Sequence, residues 1–188
     1  GTLAYWLKEN GIELRNITLI ASAGMAYTLK FLWAPLVDRW RLPLLGRLGQ
    51  RRGWLLLALL VVIAGLLLMA QLTPDRLAAF VWITLMTAFA GATLDIAVDA
   101  YRVEIAPNTS QGALVATYSL GYRIALIVTG ALALVLADHV AWPVVYRAMA
   151  LGMLVPVVAV LVAREPDVVR VRAQTWSQGL REGVVEPF

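Results

Sequence analysis

The chain has no cysteine and one histidine, His139. The first absence excludes a disulfide scaffold and cysteine-ligated metal sites, and the second leaves little for imidazole coordination. Charge is scarce as well: of 188 residues, 15% are charged and 61% hydrophobic, and mean hydropathy is +0.76. A soluble domain of this length does not carry one apolar run of about 20 residues after another. The composition is that of an integral membrane protein, all-α and polytopic. What charge remains is biased, with 16 Lys and Arg against 12 Asp and Glu, a net +4 and a pI near 9.8. The arginines flank the apolar runs, so orientation in a lipid bilayer accounts for the excess, and nucleic acid is not an expected partner. Gly1–Leu7 shows neither a charged leader nor a cleavage site and is too short to span. It reads as the tail of a truncated first helix.

Complete spans are expected over 17–37, 53–72, 77–100, 111–137 and 144–163, with a polar segment, 164–188, after them. Loops on one side hold Arg39, Arg41, Arg47, Arg51 and Arg52, then Arg102, then Arg164, Arg170, Arg172 and Arg181; the other side holds only Lys8, Arg15 and Arg76. The positive-inside rule puts the richer set in the cytoplasm, so a six-helix bundle ends on that side. Lys8–Asn16, Asp38–Arg52, Thr73–Arg76, Tyr101–Ser110 and Asp138–Pro143 are the expected loops.

Few charges fall inside the spans, and each is costly there unless paired or wetted. Asp95, Asp99 and Arg102 lie within about 60° of one another on one helical face. Ala92, Gly91, Ala88 and Thr84 continue that face as a small-residue stripe suited to the inside of a bundle. Asp95, one turn deeper, reads as a proton or substrate site; Asp99 with Arg102 forms an i,i+3 pair belonging to the cytoplasmic gate. Lys30 sits roughly 12 Å inside the membrane at 1.5 Å per residue, with Tyr27 one turn away, and is expected to face a cavity. Arg123, beside Tyr122, is deeper still and suits an anionic ligand, or else pairs with Asp95 or Asp99. Between the second and third helices, Asp38-Arg39, Arg47 and Arg51-Arg52 read as a gating loop.

Four blocks in order carry a family resemblance: Lys30-Phe-Leu-Trp-Ala-Pro-Leu-Val-Asp-Arg39, Arg51-Arg-Gly-Trp-Leu-Leu56, Asp95-Ile-Ala-Val-Asp-Ala-Tyr-Arg102 and Leu120-Gly-Tyr-Arg123. Together they resemble the AmpG-type muropeptide permeases, inner-membrane transporters of the major facilitator superfamily, over the family's N-terminal half. Leu94 stands where related sequences often have Gln, and Gly46–Arg51 is longer than the family's compact basic loop. The resemblance implies proton-driven import of anhydromuropeptides (GlcNAc-anhydroMurNAc with or without peptide) for cell-wall recycling. It also implies a protein working as a monomer with its own C-terminal half, 164–188 being the linker toward it. Carried over, Asp95, Asp99, Lys30 and Arg123 occupy the family's charged membrane positions. No cofactor and no metal are implied.

Two other readings compete. One is a transporter of another bulky anion, such as acetyl-CoA. The other is a membrane enzyme, because Gly91-x3-Asp95-x3-Asp99 matches the distal half of the CDP-alcohol phosphotransferase signature. Its proximal half, Asp-x2-Asp-Gly-x2-Ala-Arg, is missing upstream, and two carboxylates alone make a poor divalent-metal site.

Overall fold

The computed structural model describes residues 25–72, 76–105 and 108–166, and among them regular structure is entirely helical. The helices are α1 (Met25–Leu29), α2 (Ala34–Arg39), α3 (Gln50–Met69), α4 (Leu77–Ile105), α5 (Gln111–Ile127), α6 (Ala133–His139), α7 (Trp142–Gly152) and α8 (Leu154–Val162). Among the described residues four stretches are long and apolar enough to cross a membrane: Gln50–Met69, Ala78–Ile105, Gln111–His139 and Trp142–Val162. The partial first helix, the first part of span 17–37 and the segment 167–188 lie outside the described residues.

Two spans are broken where prolines dictate. In the first, α1 passes into a tight turn at Lys30–Leu32 before α2 begins. Pro35 has no N–H to give the Phe31 carbonyl, so the chain cannot run through as one α-helix. Trp33 instead receives the N–H groups of Leu36 and Val37, at 2.9 and 3.3 Å. In the last span Pro156 removes the bond to the Gly152 carbonyl, and the break between α7 and α8 falls at Met153. The stretch α5–α6 is joined by a wider π turn, Val128–Leu132. There Gly130 follows Thr129, whose hydroxyl donates back to the Ala125 carbonyl at 2.7 Å.

Two expected boundaries move. Arg51 and Arg52 belong to the first turn of α3, not to the loop before it. Tyr101–Ile105 continues α4 instead of opening a loop. Both extensions depend on long-range partners. Cations oppose the dipole at a helix N-terminus, and here carboxylates from three other places in the chain offset them.

The core lies between α3, α4 and α7–α8. Phe80, Leu66, Val62 and Tyr146 are buried at one end of the bundle, and Val37, Leu55, Ile96 and Ala97 at the arginine-rich end. α5 has no buried residue. Its apolar side chains face outward, as lipid contact or further protein would require.

Candidate functional site

Two ionic clusters sit along α4. The deeper one gathers around Lys30, which stands at the junction of α1 and α2. Its ammonium forms a short ion pair with Asp95 Oδ2 and lies 3.5 Å from Asp99 Oδ2. Asp99 Oδ1 is 3.6 Å from Arg102 Nη2. The Arg102 guanidinium stacks over the Tyr118 ring, 4.9 Å from its centroid, and the Tyr118 hydroxyl donates to Asp95 Oδ1 at 3.4 Å. The loop Lys30–Asp95–Tyr118–Arg102–Asp99 thus closes on itself with two cations and two carboxylates. Its members are half-buried: side-chain exposure is 33% for Lys30, 32% for Asp95 and 43% for Asp99.

Close packing sets this geometry. A Cβ at Gly91 would overlap the Tyr27 hydroxyl, so glycine lets α1 lie directly on α4 there. Tyr27 is in electrostatic reach of Asp95, Lys30 and Tyr122. Below it Trp33 stacks on Phe89 at 4.5 Å and donates its indole N–H to the Thr93 hydroxyl at 3.2 Å. These contacts fix Lys30 opposite the turn of α4 that carries Asp95 and Asp99.

The second cluster lies at the arginine-rich end. Arg51 donates from Nε and Nη2 to the two oxygens of Glu104, at 2.9 and 2.5 Å, and from Nη1 to Asp38 at 2.6 Å. This forked, charge-assisted arrangement joins the last turn of α2, the first turn of α3 and the last turn of α4. Gln50 adds a bond to the Asp38 carbonyl at 2.5 Å. Glu165, three residues past α8, accepts the backbone N–H groups of Arg51 and Arg52, at 2.8 and 3.1 Å. Arg52 in return donates to the carbonyls of Val160 and Leu161, at 3.0 and 2.7 Å. Gly49 holds φ +116°, open to glycine, and a side chain there would also collide with the Glu165 carboxylate. Tyr101 donates to the Arg164 carbonyl at 2.8 Å.

An open groove of about 530 Å³ connects the clusters, lined by Lys30 and Asp99 at one end and Asp38, Arg51 and Glu104 at the other.

The structure therefore joins Lys30, Asp95, Asp99 and Arg102, with Tyr27 alongside, and separately Asp38, Arg51 and Arg52. Arg102 belongs with the deeper cluster rather than with the loop. Arg123 and Tyr122 are exposed on α5, and Arg123 makes no ion pair among the described residues. Arg39 and Arg47 likewise make none there. Sequence reasoning missed Tyr118, Glu104, Glu165 and Tyr101. Tyr118 and Tyr122 share a helical face, and Glu104 is an acid two positions beyond Arg102; both were visible signals. Nothing local marks Glu165, which acts across more than a hundred residues.

The chain is 37% identical over 172 residues to "Putative transporter AmpG 4" of Rickettsia conorii, covering 90% of this chain and 42% of that protein. It is 38% identical over 168 residues to "Anhydromuropeptide permease" of Escherichia coli K12, covering 88% of this chain and 34% of that protein. A protein of Haemophilus influenzae is 36% identical over 168 residues, with 88% and 39% covered. The chain thus spans well under half the length of these relatives. The family model of the Major Facilitator Superfamily matches residues 1–184. With its apolar helices and the two ionic clusters between them, this multi-pass membrane chain belongs to the Major Facilitator Superfamily of transporters.

Proposed function

We propose that the chain forms the N-terminal half of a proton-coupled importer of anhydromuropeptides in the bacterial inner membrane, its arginine-rich end facing the cytoplasm. The observation that carries this reading is Lys30 held between Asp95 and Asp99. Such a group gives an apolar bundle both a cation for a ligand carboxylate and carboxylates for a proton. The similarity to an anhydromuropeptide permease supplies the substrate class. Arg123 and Tyr122, exposed on α5, are further ligand contacts in this reading, in a cavity completed by the rest of a longer polypeptide. Asp38, Arg39, Arg47, Arg51 and Arg52 belong to the cytoplasmic gate, which the Arg51 fork fastens.

The test is uptake of labelled GlcNAc-anhydroMurNAc by the full-length protein in proteoliposomes with an imposed pH gradient. Wild type accumulates the sugar, and Asp95→Asn inserts normally but does not accumulate it. Gradient-independent uptake, or full accumulation by Asp95→Asn, would sink the proton-coupled reading. Uptake of acetyl-CoA in place of the sugar would replace the substrate.

A further inference from the structure

The ionic loop around Lys30 is asymmetric, and the asymmetry separates the roles of its two acids. Among the described residues Asp99 has two cationic neighbours, Lys30 at 3.5 Å and Arg102 at 3.6 Å. Arg102 is fastened independently, by stacking on Tyr118. Among the described residues Asp95 has one cationic neighbour, Lys30, and otherwise the Tyr118 hydroxyl, with the Tyr27 phenol in electrostatic reach. Among the described residues these groups, with Asp99 and Arg102 on its own helix, are the charged and titratable groups facing Asp95 from the elements packed against it.

Lys30 has room to move. It sits in a short tight turn rather than inside a regular helix, and its side chain is 33% exposed and lines the open groove. A lysine carries a point charge on a flexible four-carbon stem, so its ammonium can swing between acceptors without moving the backbone. If it leaves, Asp99 keeps Arg102. Asp95 keeps no cation among the described residues, and an unpaired carboxylate in its half-buried place is costly.

We propose that Lys30 is one cation held in turn by Asp95 and by the anionic group of the ligand, so that Asp95 takes up a proton when the ligand takes Lys30, while Asp99 stays ionised on Arg102. The exchange balances. The Asp95 carboxylate gains one proton from solution and becomes a carboxylic acid. The Lys30 ammonium stays charged and moves from that carboxylate to the ligand's. Before the exchange, two cations face two carboxylates; after it, two cations face Asp99 and one ligand anion. The cluster is neutral both times, no bond between heavy atoms changes, and one proton enters per ligand carboxylate engaged. This deepens the importer reading above and rests on it for the identity of the ligand.

The experiment measures equilibrium binding without any gradient. Purified full-length protein is titrated with GlcNAc-anhydroMurNAc from mildly acidic to mildly alkaline pH, and proton uptake is followed by an indicator dye in weak buffer. Wild type should take up about one proton per ligand bound, and its affinity should fall about tenfold per pH unit on the alkaline side. Asp95→Asn should bind with pH-independent affinity and take up none. Asp99→Asn should keep the wild-type slope, and Lys30→Gln should lose binding. A second measurement needs no ligand. Lys30→Gln should carry a protonated carboxyl at neutral pH, seen as an infrared carbonyl band that Asp95→Asn removes and Asp99→Asn leaves. Wild-type binding without proton uptake, an unchanged pH slope in Asp95→Asn, or no carboxyl band in Lys30→Gln each overturns cation sharing. If wild type binds no anhydromuropeptide at any pH while the band is present, the substrate assignment fails and cation sharing stands.

Discussion

Replacing Arg51 by alanine is the sharpest probe of what holds the arginine-rich end together. The side chain is only 5% exposed and makes three charge-assisted bonds, two to Glu104 and one to Asp38. Glu104 is 15% exposed and loses both arms of the fork, which for a buried pair costs about 3 kcal/mol. Asp38 is 50% exposed, so its bond is screened and adds roughly 0.5 kcal/mol at most. At about 2–4 °C per kcal/mol for a chain of this size, the melting temperature should fall by roughly 6–14 °C. Arg51→Lys keeps the charge and loses the fork, and should fall by about half as much. The assay is a thermal melt in detergent of wild type, Arg51→Ala, Glu104→Gln and the double variant. A coupling of about 2 kcal/mol between the two sites is expected from direct contact. Arg51→Ala melting with wild type, or the two single effects simply adding, would refute the fork as a fastening. Replacing both partners with leucine should recover most of the loss, because the cost lies in breaking the pair rather than in lacking it.

Three further outcomes follow from the same geometry. The Tyr146 hydroxyl is buried with no hydrogen-bond partner among the described residues, so Tyr146→Phe should stabilise the protein by about 1 kcal/mol in a thermal melt. Gly49→Ala should cost about 2 kcal/mol, since it forces an L-residue to φ +116° and drives its Cβ into the Glu165 carboxylate. Glu165→Ala in the Gly49→Ala background should then cost less than in wild type, and equal costs would show the two do not touch. Arg123→Ala should leave the melting temperature unchanged, because the side chain is exposed without an ion pair among the described residues, yet should raise the apparent KM for uptake. A large loss of stability would make Arg123 a structural residue.

What the amino-acid order made legible is what a single helix dictates. Asp95, Asp99 and Arg102 share a face because 3.6 residues make a turn, and the structure puts all three in one cluster. Partners between helices obey no such local rule. The i,i+3 pair of Asp99 with Arg102 is legible on one helix and is present, whereas Lys30, which the structure places against both acids, comes from another helix and is not legible that way. Arg51 and Arg52 read as loop residues because the apolar run of the span begins at Gly53. They are helical because Glu104, Asp38 and Glu165 supply the opposite charge from 13 to 114 residues away.

The position of Lys30 joins the two kinds of information. Pro35 lies in the sequence for anyone to read, and its missing N–H forbids one straight helix through 25–39. Had α1 and α2 stacked as a single rod, Lys30 would have been one more residue on a continuous helix. The break instead places it in a tight turn facing α4, with the groove from Asp99 to Arg51 running past it. A backbone rule thus decides where the charge sits, and the charge decides what the groove can bind. Pro35→Ala should therefore do more than straighten a helix: it should move the Lys30 ammonium away from Asp95 and weaken the pH dependence of ligand binding, with the fork at Arg51 left in place. A Pro35→Ala protein with the wild-type pH slope would separate the helix break from the ionic cluster.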